Sequence, residues 1–183
     1  VGNIMIDSLK FFFRNNNDSS KYSDVDGIIT FHRPENVDNS KKLNNIISYI
    51  KKWAKNNKIL FPIHPRTKKN LIKFKLKKKI ESIENLVLTT PLGYSDFLKQ
   101  LKQSKFIITD SGGIQEESSY LGIPCYTLRK NTERPMTVTM GTNKLVTLNS
   151  IKLSLNKKGK QKKIPKWDGR TSERIFKILK KLI

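Results

Sequence analysis

Phe106-Ile107-Ile108-Thr109-Asp110-Ser111-Gly112-Gly113-Ile114-Gln115-Glu116-Glu117 is the stretch whose reading decides the fold. Phe106–Thr109 is a short apolar, β-branched run, as expected of a buried parallel strand. Asp110 ends it, a glycine pair follows, and Ile114–Leu121 reads as a helix. A strand that turns through Gly-Gly into a helix leaves free backbone N–H groups at the helix start. With the helix dipole these bind an anion without any side-chain charge. Ser111 adds a hydroxyl donor. Glu116 or Glu117, within the next turn, offers an acceptor for ribose hydroxyls, as an acid does in other nucleotide folds. The plainer alternative is a tight turn whose acids only complement the helix dipole.

Working outward, the same alternation recurs. Strand-like runs lie at 27–31, 59–63, 86–89, 124–128 and 145–148, and helix-like segments at 41–53, 94–101 and 172–183. Leu43, Ile46, Ile47 and Ile50 recur at helical spacing, as do Tyr94, Phe97, Leu98 and Leu101, and Ile175, Phe176, Leu179 and Leu182. Strand–helix alternation implies an α/β fold: a Rossmann-like parallel sheet with helices on both faces. Ligands of such sheets bind at the carboxyl ends of the strands. Polar clusters stand where that rule wants them: His32-Arg33-Pro34-Glu35-Asn36, His64-Pro65-Arg66-Thr67, Asp110-Ser111-Gly112-Gly113 and Thr132-Glu133-Arg134-Pro135.

Each cluster has a chemistry and a plainer rival. His32 donates to a diphosphate or exchanges a proton near neutral pH; a histidine satisfied by backbone is the alternative. His64 repeats the arrangement one strand later. The two histidines lack the cysteines or spaced acids of a metal site, so no metal and no cofactor are expected. Phe97 offers a ring beside a flat base, against the usual core role of an aromatic at helical spacing. Arg33 and Arg134 suit a phosphate, since guanidinium binds such groups bidentately; an ion pair at a helix start is the rival for Arg134.

Composition sets the outer limits. The 183 residues suffice for one buried domain. Lys and Arg number 37 against 15 Asp and Glu, a formal net charge of +22. That excess allows a nucleic-acid partner by counterion release. However, most of it is Lys, in Asn- and Ile-rich surroundings such as Lys77-Lys78-Lys79, and fits solvated filler better. A basic surface also steers an anionic sugar nucleotide. The single cysteine, Cys125, lies in an apolar run and reads as a buried small hydrophobe. With no signal peptide and no long apolar stretch, a cytoplasmic location and no membrane contact are expected.

Taken together, the runs 109–117, Leu121-Gly122-Ile123-Pro124, Leu128-Arg129, 132–135 and Gly141-Thr142-Asn143 resemble the non-hydrolysing UDP-N-acetylglucosamine 2-epimerases in order and spacing. So do 32–36, 64–67, the opening Val1-Gly2-Asn3 with Asp7, and the closing Trp167-Asp168-Gly169. The resemblance implies a GT-B-like architecture of two Rossmann-like domains, of which this chain is the second. It implies that Ser111, Gly112 and Gly113 hold the diphosphate of UDP-N-acetylglucosamine, Glu117 the ribose, and that Phe97 lies by the uracil. His32 contacts the diphosphate and supports catalysis, with Arg134 in support; Arg33 and His64, at the same sheet edge, are further candidate substrate-binding residues. The implied reaction inverts C2 of the sugar: UDP leaves by elimination, giving a 2-acetamidoglucal, and re-adds to yield UDP-N-acetylmannosamine. The implied setting is cell-surface polysaccharide biosynthesis.

The family's main catalytic carboxylates belong to the first domain, and no counterpart precedes Val1. Residues 1–183 are therefore expected to form a single nucleotide-sugar-binding domain, inactive alone and completed by an N-terminal domain or partner chain. A homodimer is left open. Residues 1–20 are expected to be a hinge strand and helix entering from the missing domain. Residues 149–170, Lys-rich, are expected to link to a C-terminal helix capped by Thr171 or Ser172. The rival readings are a non-catalytic UDP-sugar-binding module and a basic nucleic-acid-associated protein.

Overall fold

The computed structural model describes residues 1–16, 20–151, 153 and 163–182. Six parallel strands run through it: β1 (Gly27–Thr30), β2 (Ile59–Pro62), β3 (Leu86–Thr89), β4 (Phe106–Thr109), β5 (Cys125–Thr127) and β6 (Asn143–Leu145). Their spatial order is β3-β2-β1-β4-β5-β6. The order reverses between β1 and β4, which pair in register from Gly27↔Phe106 to Thr30↔Thr109. A crevice opens at such a reversal because the connections on its two sides leave in opposite directions.

The helices are α1 (Ile4–Asn15), α2 (Pro34–Val37), α3 (Ser40–Ala54), α4 (Pro65–Lys73), α5 (Lys77–Glu81), α6 (Tyr94–Gln103), α7 (Gly112–Leu121), α8 (Pro135–Thr139) and α9 (Thr171–Leu179). Side-chain alternation sends neighbouring strand residues to opposite faces. Ile29 and Ile108 join the core under α3, with Leu43, Ile46, Ile47 and Ile50. Ile28 and Ile107 join the opposite core, with Leu101 of α6 and Ile114 and Leu121 of α7. α7 stops at Gly122, whose φ of 73° is the left-handed conformation that glycine adopts without cost.

Several boundaries differ from the sequence reading. β6 lies at Asn143–Leu145, not 145–148, because β5 offers only Cys125–Thr127 to pair with, in the register Cys125↔Asn143 to Thr127↔Leu145. α2, α4 and α8 each begin at a proline where sequence reading saw polar clusters. Proline at the first helical position has no N–H to lose and a φ already set for the helix. Residues 1–16 hold one helix and no strand, and Ile6 and Leu9 of α1 pack with Leu98 of α6. Residues 17–19, most of the predicted linker (152 and 154–162), and Ile183 lie outside the described residues. The apolar stripe of α9 is not buried: Phe176, Leu179 and Leu182 are exposed. Helical spacing marks a face as apolar without naming what covers it. No described helix is long and apolar enough to cross a membrane.

The predicted caps of α9 are also corrected. Thr171 is its first residue, Arg170 precedes it, and neither side chain caps it. The cap comes from α1 instead. The Asp7 carboxylate accepts from the Thr171 amide (3.1 Å), the Ser172 amide (2.8 Å) and the Ser172 hydroxyl (2.9 Å). Burial pushes the Asp7 carboxyl up, but the Ser172 and Thr171 donors outweigh this and hold it below its ordinary value.

Asp7→Ala should therefore cost about 1–2 kcal/mol, the scale of a lost N-cap, in urea unfolding followed by circular dichroism. Because the folded pKa is depressed, the contribution is present above the ordinary value of 3.8 and lost as pH falls through the folded one. A variant as stable as the parent at neutral pH would refute the cross-helix cap.

Candidate functional site

Asp110 is the first residue past β4 and is fully buried. A carboxylate there is tolerable only if donors surround it. They come from the other side of the switch point. The backbone N–H of His32 donates to both carboxylate oxygens at 3.1 Å, and that of Arg33 to Oδ2 at 3.0 Å. Asn36 Nδ2 donates to Oδ2 at 3.0 Å, and His32 Nδ1 stands 2.9 Å from Oδ1. Burial alone would push this carboxyl up, but the His32 side chain, Asn36 and the Arg33 amide together hold it below the ordinary aspartate range. Arg33 returns the contact, its Nε donating to the Asp110 carbonyl at 2.8 Å. The crevice between β1 and β4 is thus braced by one acid.

This bracing arranges the predicted residues. His32 uses Nδ1 on Asp110, so Nε2 is left facing away from it. The His32 and His64 rings lie 5.2 Å apart, centroid to centroid. His64 caps α4 by accepting from the Arg66 amide at Nδ1 (3.1 Å). In the neutral ring the proton therefore sits on Nε2. Partial burial and the neighbouring His32 hold His64 below the ordinary imidazole value.

On the β4 side, Ser111 precedes α7, and its side chain makes no cap bond to that helix. The two glycines have different neighbours. A Cβ on Gly112 would collide with the Glu133 carboxylate, while a Cβ on Gly113 would meet no atom within 4 Å. Neither has a positive φ. Glu133 lies 2.8 Å from Arg129 Nη1 and 3.9 Å from Arg33 Nη2, so a carboxylate paired with two arginines stands at this helix start.

The two acids of α7 part company. Glu117, 4% exposed, accepts from the Tyr94 hydroxyl at 3.0 Å, which ties it to α6. Phe97 follows Tyr94 by one helical turn and is half-buried against the core that holds Ile28 and Ile107. Glu116 turns the other way, accepting from Asn3 Nδ2 at 2.7 Å and pairing with Arg134 Nε at 3.5 Å. Burial raises both carboxyl pKa values. Arg134 and Asn3 oppose the shift at Glu116, as the Tyr94 bond does at Glu117. Arg134 lines a cavity of about 390 Å³ with Asn3, Glu116, Glu133 and Trp167.

His32, Arg33, His64, Ser111, Gly112 and Gly113 therefore converge at the switch point. Glu117 and Phe97 lie further along α7 and α6, and Arg134 turns toward Glu116. Sequence reading passed over Asp110 as a ligand of the site's own backbone, together with Tyr94 and Glu133. Asp110 had a signal: an acid ending a buried strand must find donors. Tyr94 had none, since its partner lies on another helix.

The model of the UDP-N-acetylglucosamine 2-epimerase family matches residues 1–180. A UDP-N-acetylglucosamine 2-epimerase of Methanocaldococcus jannaschii is 41% identical over 98% of this chain and 53% of its own length. A UDP-2,3-diacetamido-2,3-dideoxy-D-glucuronate 2-epimerase of Pseudomonas aeruginosa is 33% identical over all of this chain and 52% of its own. The crystal structure of the Methanocaldococcus jannaschii enzyme in complex with UDP-GlcNAc and UDP superposes with a TM-score of 0.78, at 37% identity, over 99% of this chain and 54% of that one. The chain thus spans about half the length of the curated relatives it matches. Its sheet is a Rossmann-like half of a GT-B-like fold.

Asp110→Asn keeps the shape of the brace and turns one acceptor into a donor facing the His32 and Arg33 amides. It should destabilise the domain by about 2–4 kcal/mol, the cost of breaking buried bonds to a charged group, in urea unfolding. The parent's depressed pKa implies stability that is present above the ordinary 3.8 and lost as pH falls through the folded value. The acid limb of the stability curve should therefore flatten in the variant. An unchanged acid limb would show that Asp110 carries no such linkage.

Proposed function

The chain belongs to the UDP-N-acetylglucosamine 2-epimerase family, and from that premise we propose that it is the UDP-holding half of such an epimerase. The backbone amides of Ser111, Gly112 and Gly113, with the α7 dipole, take the diphosphate. His32, Arg33 and His64 face it from the β1 and β2 ends. Glu117 takes the ribose hydroxyls, Phe97 lies by the uracil, and Arg134 supports the edge through Glu116. Residues 1–20 form the connection to a preceding half, and 149–170 lead to the last helix.

One observation carries this reading. Gly113 stands in the first turn of a helix, and after proline glycine is the residue that helices favour least. Its backbone does not need glycine, and no neighbour among the described residues fills the place of its Cβ. A bare backbone at this place suits something from outside that approaches it closely.

The chemistry follows. A base takes the proton from C2 as the C1–O bond breaks, and the electron pair leaves with the UDP diphosphate. The 2-acetamidoglucal formed then receives a proton on the other face of C2 and UDP at C1, which gives UDP-N-acetylmannosamine. Fixed amides and cations aimed at the diphosphate stabilise it most as its charge develops. His32, whose Nδ1 stands against Asp110, contributes here through Nε2. The base at C2 belongs to the other half. By the same reading the product supplies cell-surface polysaccharide synthesis in the cytoplasm.

Calorimetry with UDP and uridine tests the assignment. UDP should bind the tighter, and Gly113→Ala should erode that advantage while leaving the fold as stable as, or more stable than, the parent's. Equal affinities for UDP and uridine in the parent would sink the reading.

The ribose assignment has its own test. Glu117→Gln should weaken UDP binding by about 1–3 kcal/mol, the scale of hydrogen bonds to a charged group. Glu116→Gln, which points to Asn3 and Arg134, should leave it nearly unchanged. The reverse pattern would put the ribose on the other face of α7.

A further inference from the structure

Behind the start of α7 lies a cluster of buried polar side chains that no step above uses. Gln115, Thr127 and Thr137 are fully buried and Asn143 is 2% exposed. Gln115 Nε2 donates to the Ser111 carbonyl at 3.1 Å. Gln115 Oε1 accepts from the Thr132 hydroxyl at 2.6 Å and from Asn143 Nδ2 at 2.9 Å. Asn143 Nδ2 also donates to the Thr137 hydroxyl at 3.0 Å, and Asn143 Oδ1 accepts from the Thr127 hydroxyl at 2.6 Å. The Thr137 hydroxyl donates to the Arg134 carbonyl at 2.7 Å, and the Thr132 hydroxyl accepts from the Arg134 amide at 3.0 Å.

The protons run in one sense. Thr137 spends its hydrogen on Arg134 and Thr132 spends its own on Gln115. A flipped Asn143 amide would set oxygen against oxygen at both Gln115 and Thr137. The cluster therefore has a single satisfied arrangement, and a buried network of that kind fixes geometry at the expense of a high penalty for any missing partner. Its ends matter most. One end is the Ser111 carbonyl at the α7 start, and the other is both backbone groups of Arg134. The loop between carries Glu133, whose carboxylate lies over Gly112.

We infer that Asn143 is a positioning residue: with Gln115 it locks the α7 start and the 132–134 loop into one unit and so sets the amides that face the diphosphate. The inference rests on the proposed UDP reading. Preorganised dipoles stabilise charge only while their directions are fixed. An Asn on an edge strand, remote from the ligand, supplies that constraint.

The test uses the whole chain with UDP and uridine as probes. Asn143→Asp keeps the shape but replaces both donors with an acceptor. Thr132→Val removes one arm at the less buried end and guards against a misfolded first variant. The UDP-to-uridine affinity ratio should fall about ten-fold in Asn143→Asp at about pH 8, relative to the parent at the same pH. It should recover in part at about pH 5.5, where a buried Asp takes up a proton and can donate to Gln115 again. Thr132→Val should lower the ratio at both pH values. Ratios equal to the parent's in both folded variants, or an Asn143→Asp loss with no recovery at the lower pH, would overturn the inference. A parent that binds UDP no tighter than uridine would instead overturn the UDP reading and leave the network untouched.

Discussion

A carboxylate buried at a point where two strands diverge has to be satisfied, and Asp110 is satisfied almost wholly by the segment that follows β1. The His32 and Arg33 amides, the Asn36 side chain and the His32 ring all turn inward to it. Removing one partner from such a centre leaves a charge that the interior cannot solvate. The segment 32–36 is therefore held against the end of β4, and everything at the switch point takes its place from that constraint. His32 is fixed by its inner nitrogen, α2 starts at Pro34 where the bonds to Asp110 have set the chain direction, and Arg33 is directed back toward the Asp110 carbonyl.

Downstream of the same residue, α7 does three jobs with four of five consecutive positions. Gly113 keeps the backbone bare. Gln115 points inward to the buried network. Glu116 and Glu117 point to opposite neighbours, one to the N-terminal Asn3 and one to Tyr94 on α6. Adjacent helical residues differ by about 100°, so a helix start sitting over a crevice can serve the core, the chain's own beginning and the cleft at once. The cost is low intrinsic stability: a glycine pair is poor helix material, and two buried carboxylates lose solvation. Contacts with α1, α6, α8, β5 and β6 compensate for it.

α1 and α9 illustrate how far the ends of the chain are tied together. Asp7 supplies the cap that α9 lacks from its own sequence, and Lys10 donates to the Asp168 carbonyl at 2.9 Å. The first helix of the domain is thus packed into it, with Ile6 and Leu9 fully buried. The apolar face of α9, in contrast, finds no cover within the described residues.

The sequence by itself determined the alternation of short buried strands with amphipathic helices, the parallel α/β class and the sheet edge on which the polar clusters stand. Those are local properties: period, apolar run length and the glycine pair are written in consecutive residues. It also offered His32, Arg33, His64, Ser111, Gly112 and Gly113 as candidates, because each belongs to a polar cluster just past a strand. Tertiary structure alone decided which polar groups meet. That Asp110 faces His32, that Arg134 faces Glu116, that Glu133 rather than an open crevice lies over Gly112, and that Asp7 caps α9 are meetings of residues far apart in the chain. Nothing in the spacing of such residues records them. Their partners are fixed only when the strand order closes and burial makes every unpaired polar group costly.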